Sequence, residues 1–248
     1  PQAFRLVSPA GEVSIDPDTL TLVARGGVAD VFLEPFSNFA LKIYRNPDPV
    51  DWEKISFQVR NPFGAGNAGE ALQFAWPIGT VYSGPVPVGI VLPLIDMKNF
   101  IPLDHWVEHH LLENLERAND SLGRRVPILA NLAKRLARLH KKGHAVIDLK
   151  PSNILVERNT SDVCLIDCDS FLIRGGGRVF VPTHVSAGYV APEAISSTID
   201  IATLDARQDL FAFAVIAFQI LNYGVHPFQG ILRPGESADT VDEKAAKG

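Results

Sequence analysis

The chain has 248 residues, 46% of them hydrophobic and 21% charged, with a formal net charge of −5. That composition supplies a sizeable core and carries no basic excess, so nucleic acid is set aside as a partner of this segment. No apolar run has the length of a membrane span and no signal peptide opens the chain, so no membrane is expected. Cys164 and Cys168 lie in or just past one predicted strand, where side chains four apart stand roughly 13 Å from each other, too far for a disulfide. Reduced thiols and a cytoplasmic setting follow. Pro1 as the first residue reads as the start of a processed or excised segment.

The first hundred residues read mostly as strands. Thr19 to Ala24 and Val31 to Leu33 flank a Gly-Gly break, and Phe39 to Tyr44 (FALKIY) follows the turn-rich PFSN. A short helix starts near Asp51, and NPFGAGNAG reads as a loop. Ile78 to Tyr82 and Val88 to Leu92 are two further strands joined by a turn. After Pro93 helices take over. One is predicted over Asp104 to Arg117 with Asp104 as N-cap. A stronger one runs from Val126 to Lys142, with Leu129, Leu132, Leu136 and Leu139 on one face. Ile154 to Glu157 and Val163 to Ile166 form a small hairpin. Gln208 to Tyr223 is apolar nearly all round and reads as a buried helix.

The chemistry concentrates in AVIDLKPSNILV, where Asp148, Lys150 and Asn153 sit between two apolar runs. The hairpin that follows ends in LIDCDSF, so Asn153 and Asp167 can face one point. A carboxylate and an amide oxygen suit Mg²⁺, which takes few protein ligands beside phosphate oxygens. Asp148, in the same loop, is placed to accept a proton. Upstream, Gly26 and Gly27 in ARGGVADV let the backbone approach a phosphate. Lys42 lies mid-strand, where an unpaired ammonium is costly and an anion is needed.

Taken in order, these parts resemble the protein kinase superfamily from about Leu22 to about Phe228. ARGGVADV looks like its glycine-rich loop with Ala24 and Ala29 in place of two glycines, and FALKIY like the strand of the ATP-binding lysine. VIDLKPSN matches the catalytic loop, LIDCD the metal motif, GYVAPE the end of the activation segment, and GVHPF the motif after the buried helix of the large lobe. AWPIGTVY, PVGIVLPLI and LIDCDSF are similar to a bacterial kinase-like branch. Some of its members carry a helix-hairpin-helix DNA-binding module, and some are encoded near phosphatases or von Willebrand A-type proteins. That module is not seen here, and such a protein is a partner by resemblance only.

The resemblance implies an α+β, bilobal protein-kinase-like fold. A β-rich small lobe would span residues 1–95. A mainly helical large lobe would span 96–248, cut short after the long buried helix. ATP would lie in the cleft, with Val31, Ala40 and Leu155 around adenine, Pro93 and Ile95 at the hinge, and Gly26 and Gly27 over the phosphates. Lys42 would pair with Glu53, or alternatively Glu70. Asp148 would be the base, Lys150 the phosphate contact, and Asn153 and Asp167 the ligands of Mg²⁺, with Mn²⁺ as a substitute. Transfer to a Ser or Thr hydroxyl of a protein is the implied reaction. Its rivals are a nucleotide-binding pseudokinase scaffold and a kinase-fold enzyme for small molecules, the latter disfavoured by the APE-like segment and GVHPF.

Several positions depart from the family pattern. Ile147 stands where many kinases have the arginine that pairs with an activation-segment phosphate, which argues against that switch. Val146 replaces the usual histidine. Cys168 and Asp169 replace Phe and Gly, and Asp169 is expected as a third acid at the metal or behind it. Ser170, Thr183 and Ser186 are loop hydroxyls open to phosphorylation, though such hydroxyls are mostly solvated. His109, His110 and His144 are expected as surface histidines of helices rather than metal ligands.

Overall fold

FALKIY forms strand β5 (Phe39–Tyr44), with its apolar positions turned alternately to the two faces of a sheet. In the computed structural model, residues 3–35, 37–64, 72–108, 122–195, 204–230 and 240–247 are described. Two units result: Pro1–Asp96 with Asp167–Asp169, and Met97–Ile166 with Ser170–Gly248. The sequence gives no hint that the three residues Asp167–Asp169 belong with the first unit.

That unit is built on a seven-stranded sheet. It contains β1 (Phe4–Ser8), β2 (Gly11–Ile15), β3 (Thr21–Arg25), β4 (Ala29–Leu33), β5, β6 (Gly79–Ser83) and β7 (Val86–Pro93), in the order β2-β1-β6-β7-β5-β4-β3. All of its pairings are antiparallel. β1 and β2 are not placed by the sequence reading; Val13 and Ile15 of β2 alternate with Glu12 and Ser14, but only Ile15 is buried.

Register decides what each face carries. Val31 lies opposite Lys42, Ala29 opposite Tyr44, Ala40 opposite Leu92 and Lys42 opposite Ile90. These residues therefore share one face. There Ala29, Tyr44 and Ile90 pack against Ile55 of helix α1 (Trp52–Arg60). The other face buries Leu6, Leu41, Val81 and Val91. Gly89 lets β7 come close to β5, since a Cβ there would lie 2.5 Å from the carbonyl oxygen of Lys42. Asp51 caps α1 by accepting the Lys54 N–H at 3.0 Å.

In the second unit, β8 (Phe100–Pro102), β9 (Ile154–Glu157) and β10 (Val163–Leu165) form a sheet in the order β10-β9-β8, so the expected hairpin has a third strand. β11 (Ile173–Gly175) and β12 (Arg178–Phe180) form a separate pair. The described helices are α2 (Leu122–His140), α3 (Pro192–Ile195), α4 (Ala206–Leu221) and α5 (Val241–Lys247). Leu129, Leu132, Leu136 and Leu139 are the buried stripe of α2, as their spacing predicts. That helix starts before Val126, with Pro127 inside it. A proline is more usual in a first turn, which favours the later start on sequence alone.

The helix expected from Asp104 is instead a 3-10 turn over Leu103–Trp106. The rest of that prediction, with His109 and His110, falls in 109–121, outside the described residues. α4 is less enclosed than its composition suggests, since Leu210, Phe218 and Leu221 are exposed among the described residues. Cys164 and Cys168 are buried and form no disulfide with each other. No described helix is long and apolar enough to cross a membrane.

Candidate active site

Lys42 is 8% exposed and points from the face of β5 that α1 covers. Its ammonium donates to Asp167 Oδ1 at 2.5 Å and to Asp169 Oδ1 and Oδ2 at 2.9 and 2.7 Å. Tyr44, two residues along the same face, donates its hydroxyl to Asp169 Oδ2 at 2.6 Å. Burial pushes the Lys42 ammonium down, but the carboxylates of Asp169 and Asp167 outweigh it and hold its pKa above the ordinary lysine value. Burial and the neighbouring Asp169 push the Tyr44 phenol far up, so it remains a donor. Burial opposes ionisation of Asp169, yet Lys42 and Tyr44 hold its carboxyl below the usual range.

The acid on Lys42 is therefore not the one expected. Glu53 is exposed on α1, whose buried positions are Lys54, Ile55 and Gln58. A single residue of helix phase, about 100°, turns position 53 away from the sheet. Glu70, the alternative, lies outside the described residues. Lys54 is instead a second buried lysine, lowered to about 8 by burial, with Asp169 the first of the charges that pull it back up. Asp169, expected beside a metal, is engaged by Lys42 and Tyr44.

Gly26 and Gly27 make the turn between β3 and β4, closed by Gly26 N–H to Ala29 O at 2.9 Å. Arg45 ties this turn down, donating to Gly27 O at 3.3 Å and pairing with Asp30 at 2.5 Å. Val31 and Ala40 lie on the Lys42 face by register. Pro93 ends β7 opposite Phe39. Leu94 N–H is taken by Asn38 O at 3.2 Å, and Ile95 N–H has no protein acceptor among the described residues.

In the second unit the catalytic-loop sequence leaves α2 through Gly143, at φ +80°. Asp209 of α4, fully buried, accepts Val146 N–H at 2.8 Å, Ile147 N–H at 2.7 Å and a contact from His140 Nε2 at 2.8 Å. That carboxylate fixes the backbone just before Asp148. Ile147 takes φ +66°, rare for a β-branched residue, and is buried with Ala145 and Leu172 beside Val185 and Leu204.

Asp148 Oδ2 accepts from Lys150 Nζ at 2.8 Å, and Oδ1 accepts from the Ser186 N–H at 2.6 Å. Lys150 Nζ also donates to Ser186 Oγ at 2.7 Å. Ser186 is thus engaged with the loop rather than solvated. His144 is buried as well, not a surface residue, and its Nδ1 accepts the Arg174 N–H at 3.1 Å. Asn153 ends a 3-10 turn, Pro151–Asn153, and its side-chain nitrogen donates to Asp148 O at 3.0 Å. Its side-chain oxygen keeps its capacity as an acceptor. Leu155 is buried in β9.

Asn153, in the second unit, and Asp167, grouped with the first, each carry a hard oxygen of the kind Mg²⁺ takes, and the Asp167 side chain is 36% exposed. No cluster of three or more His, Cys, Asp or Glu that could hold a metal occurs among the described residues.

Asp209, Tyr44 and Lys54 are not found by sequence reading. The signal for Asp209 is a single carboxylate in the otherwise apolar run DLFAFAVIAFQIL.

The protein kinase domain family matches residues 101–246. Protein kinase YegI of Escherichia coli is 26% identical over 230 residues, covering 90% of this chain and 34% of the relative. The serine/threonine-protein kinase pkn2 of Myxococcus xanthus is 34% identical over 117 residues, 44% of this chain and 14% of the relative. A putative serine/threonine-protein kinase of Mycoplasma pneumoniae is 30% identical over 127 residues, 45% of this chain and 32% of the relative. The chain spans about a third of the length of the YegI relative. With the family match covering well over half of its residues, the chain belongs to the protein kinase family.

Proposed function

We propose that this chain transfers the γ-phosphoryl group of ATP to a Ser or Thr hydroxyl of a protein. The observation that carries the reading is the Asp148 carboxylate. It is gripped by Lys150 and the Ser186 N–H, on a backbone tied to buried Asp209. In this reading the substrate hydroxyl oxygen attacks the γ-phosphorus, the bond to the β–γ bridging oxygen breaks, and the hydroxyl proton passes to Asp148. Lys150 and Lys42 offset charge on the phosphate oxygens. Asn153 and Asp167 hold Mg²⁺ (or Mn²⁺), which supplies further positive charge to those oxygens when bound. Val31, Ala40 and Leu155 give apolar contact to adenine, with Ile95 N–H as donor and Pro93 C=O as acceptor. Gly26 and Gly27 cover the phosphates. The serine/threonine names of the pkn2 and Mycoplasma relatives support the hydroxyl specificity.

Activation without an activation-segment phosphate belongs to the same proposal. Ile147 meets Val185 and Leu204 through apolar contact, which needs no phosphate to form.

The pseudokinase reading has one specific observation in its favour: both carboxylates near Lys42 already bind its ammonium. Incubation with γ-labelled ATP and Mg²⁺, wild type beside Asp167→Ala, separates the two. Label on Ser or Thr of the protein itself or of a generic protein substrate, lost in Asp167→Ala, is the expected result. An ATP-dependent rise in Tm without any transfer would favour the scaffold, and label on Tyr would overturn the specificity.

A further inference from the structure

Asp167 and Asp169 both touch Lys42, but they differ in what else they can do. The Asp169 side chain is 8% exposed, against 36% for Asp167. Both Asp169 oxygens are engaged, Oδ1 by Lys42 at 2.9 Å, and Oδ2 by Lys42 at 2.7 Å and Tyr44 at 2.6 Å. A carboxylate so committed and so enclosed is poorly disposed to ligate a metal. The backbone around it is anchored too, since Gln58 Nε2 of α1 donates to Cys168 O at 2.8 Å. Lys54, one turn before Gln58, is buried on the same helix. Strand β5 and helix α1 thus grip the segment that carries Asp169, and β5 grips its carboxylate twice.

We propose that Asp169 is the positioning residue for Lys42, a permanent buried counter-ion in the place where the sequence points to a helix glutamate. It aims Lys42 while Asp167 is occupied elsewhere, and it ties that aim to the seating of the Asp167–Asp169 segment against α1. What Lys42 is aimed at rests on the kinase reading above; how Lys42 is held does not.

The test uses Asp169→Asn and Tyr44→Phe beside wild type, with two readouts. The first needs neither nucleotide nor activity. It is the rate at which an amine-acetylating reagent modifies Lys42 at fixed pH, followed by peptide mass spectrometry. Asp169→Asn is expected to be acetylated at Lys42 at least fivefold faster than wild type, and Tyr44→Phe about twofold faster. The second is the kinetic split. In Asp169→Asn, kcat falls at least tenfold, while KM for ATP and the half-saturating Mg²⁺ concentration each move less than threefold.

An unchanged Lys42 acetylation rate in both variants overturns the proposal. So does a tenfold or greater rise in half-saturating Mg²⁺ with acetylation unchanged, which would make Asp169 a metal ligand. If Asp169→Asn does not fold by circular dichroism, Tyr44→Phe, which keeps the charge, decides alone. If wild type transfers no phosphoryl group, the kinase reading fails and the acetylation rates still decide this one.

Discussion

Asp209 accepts the backbone N–H of Ile147 at 2.7 Å, joining a strongly apolar helix to the residue before the proposed base. With the Val146 N–H at 2.8 Å, one buried carboxylate satisfies two consecutive amides. Such donors cost about 1–3 kcal/mol each when left without a partner in the interior. Asp209→Asn turns one acceptor oxygen into an NH₂ group facing a donor. It is expected to lower stability by roughly 2 kcal/mol, read as a lower urea midpoint, and to reduce phosphoryl transfer by loosening the loop. An unchanged midpoint would contradict this account of the loop.

Ile147 makes a second prediction. It is 1% exposed and sits among Ala145, Leu172, Val185 and Leu204. Ile147→Arg restores the family residue but places a guanidinium in an apolar cluster, which is expected to destabilise the fold by roughly 3 kcal/mol. Thermal unfolding of the variant checks this. A variant as stable as wild type, with transfer newly dependent on activation-segment phosphorylation, would show that the apolar contact is not what this site requires.

His144 predicts a pH effect. Burial, followed by the nearby Lys142, lowers its pKa below the usual imidazole value. Protonation would also cost the hydrogen bond that Nδ1 accepts from the Arg174 N–H. The unfolded chain therefore takes up the proton first. The stability that neutral His144 contributes is present above the unfolded pKa of about 6.5 and is lost as pH falls through it toward the folded value. Tm measured at pH 7.5 and 5.5 should drop more for wild type than for His144→Gln, and equal drops would contradict the assignment.

The fold was readable where side-chain pattern and local chemistry agree. FALKIY alternates, the leucines of α2 keep a helical spacing, and Asp51 before an amphipathic run marks the start of α1. It was not readable where partners are distant. The partner of Lys42 depended on the phase of a nine-residue helix and on residues 125 and 127 positions away. A motif can suggest that Lys42 wants an acid, but only packing selects Asp169 over Glu53. Asp209 stood in plain view as a lone carboxylate in an apolar helix, yet its donors lie more than sixty residues upstream.

The central claim is that Asp148 takes the hydroxyl proton in a phosphoryl transfer. The most direct measurement is the rate of transfer from γ-labelled ATP with Mg²⁺ for wild type and Asp148→Asn, alongside the ATP-dependent rise in Tm of each. The account predicts a rate lower by about 10²–10⁴-fold in the variant with the same rise in Tm. Equal rates in the two proteins would contradict it, as would a wild type that binds ATP and transfers nothing.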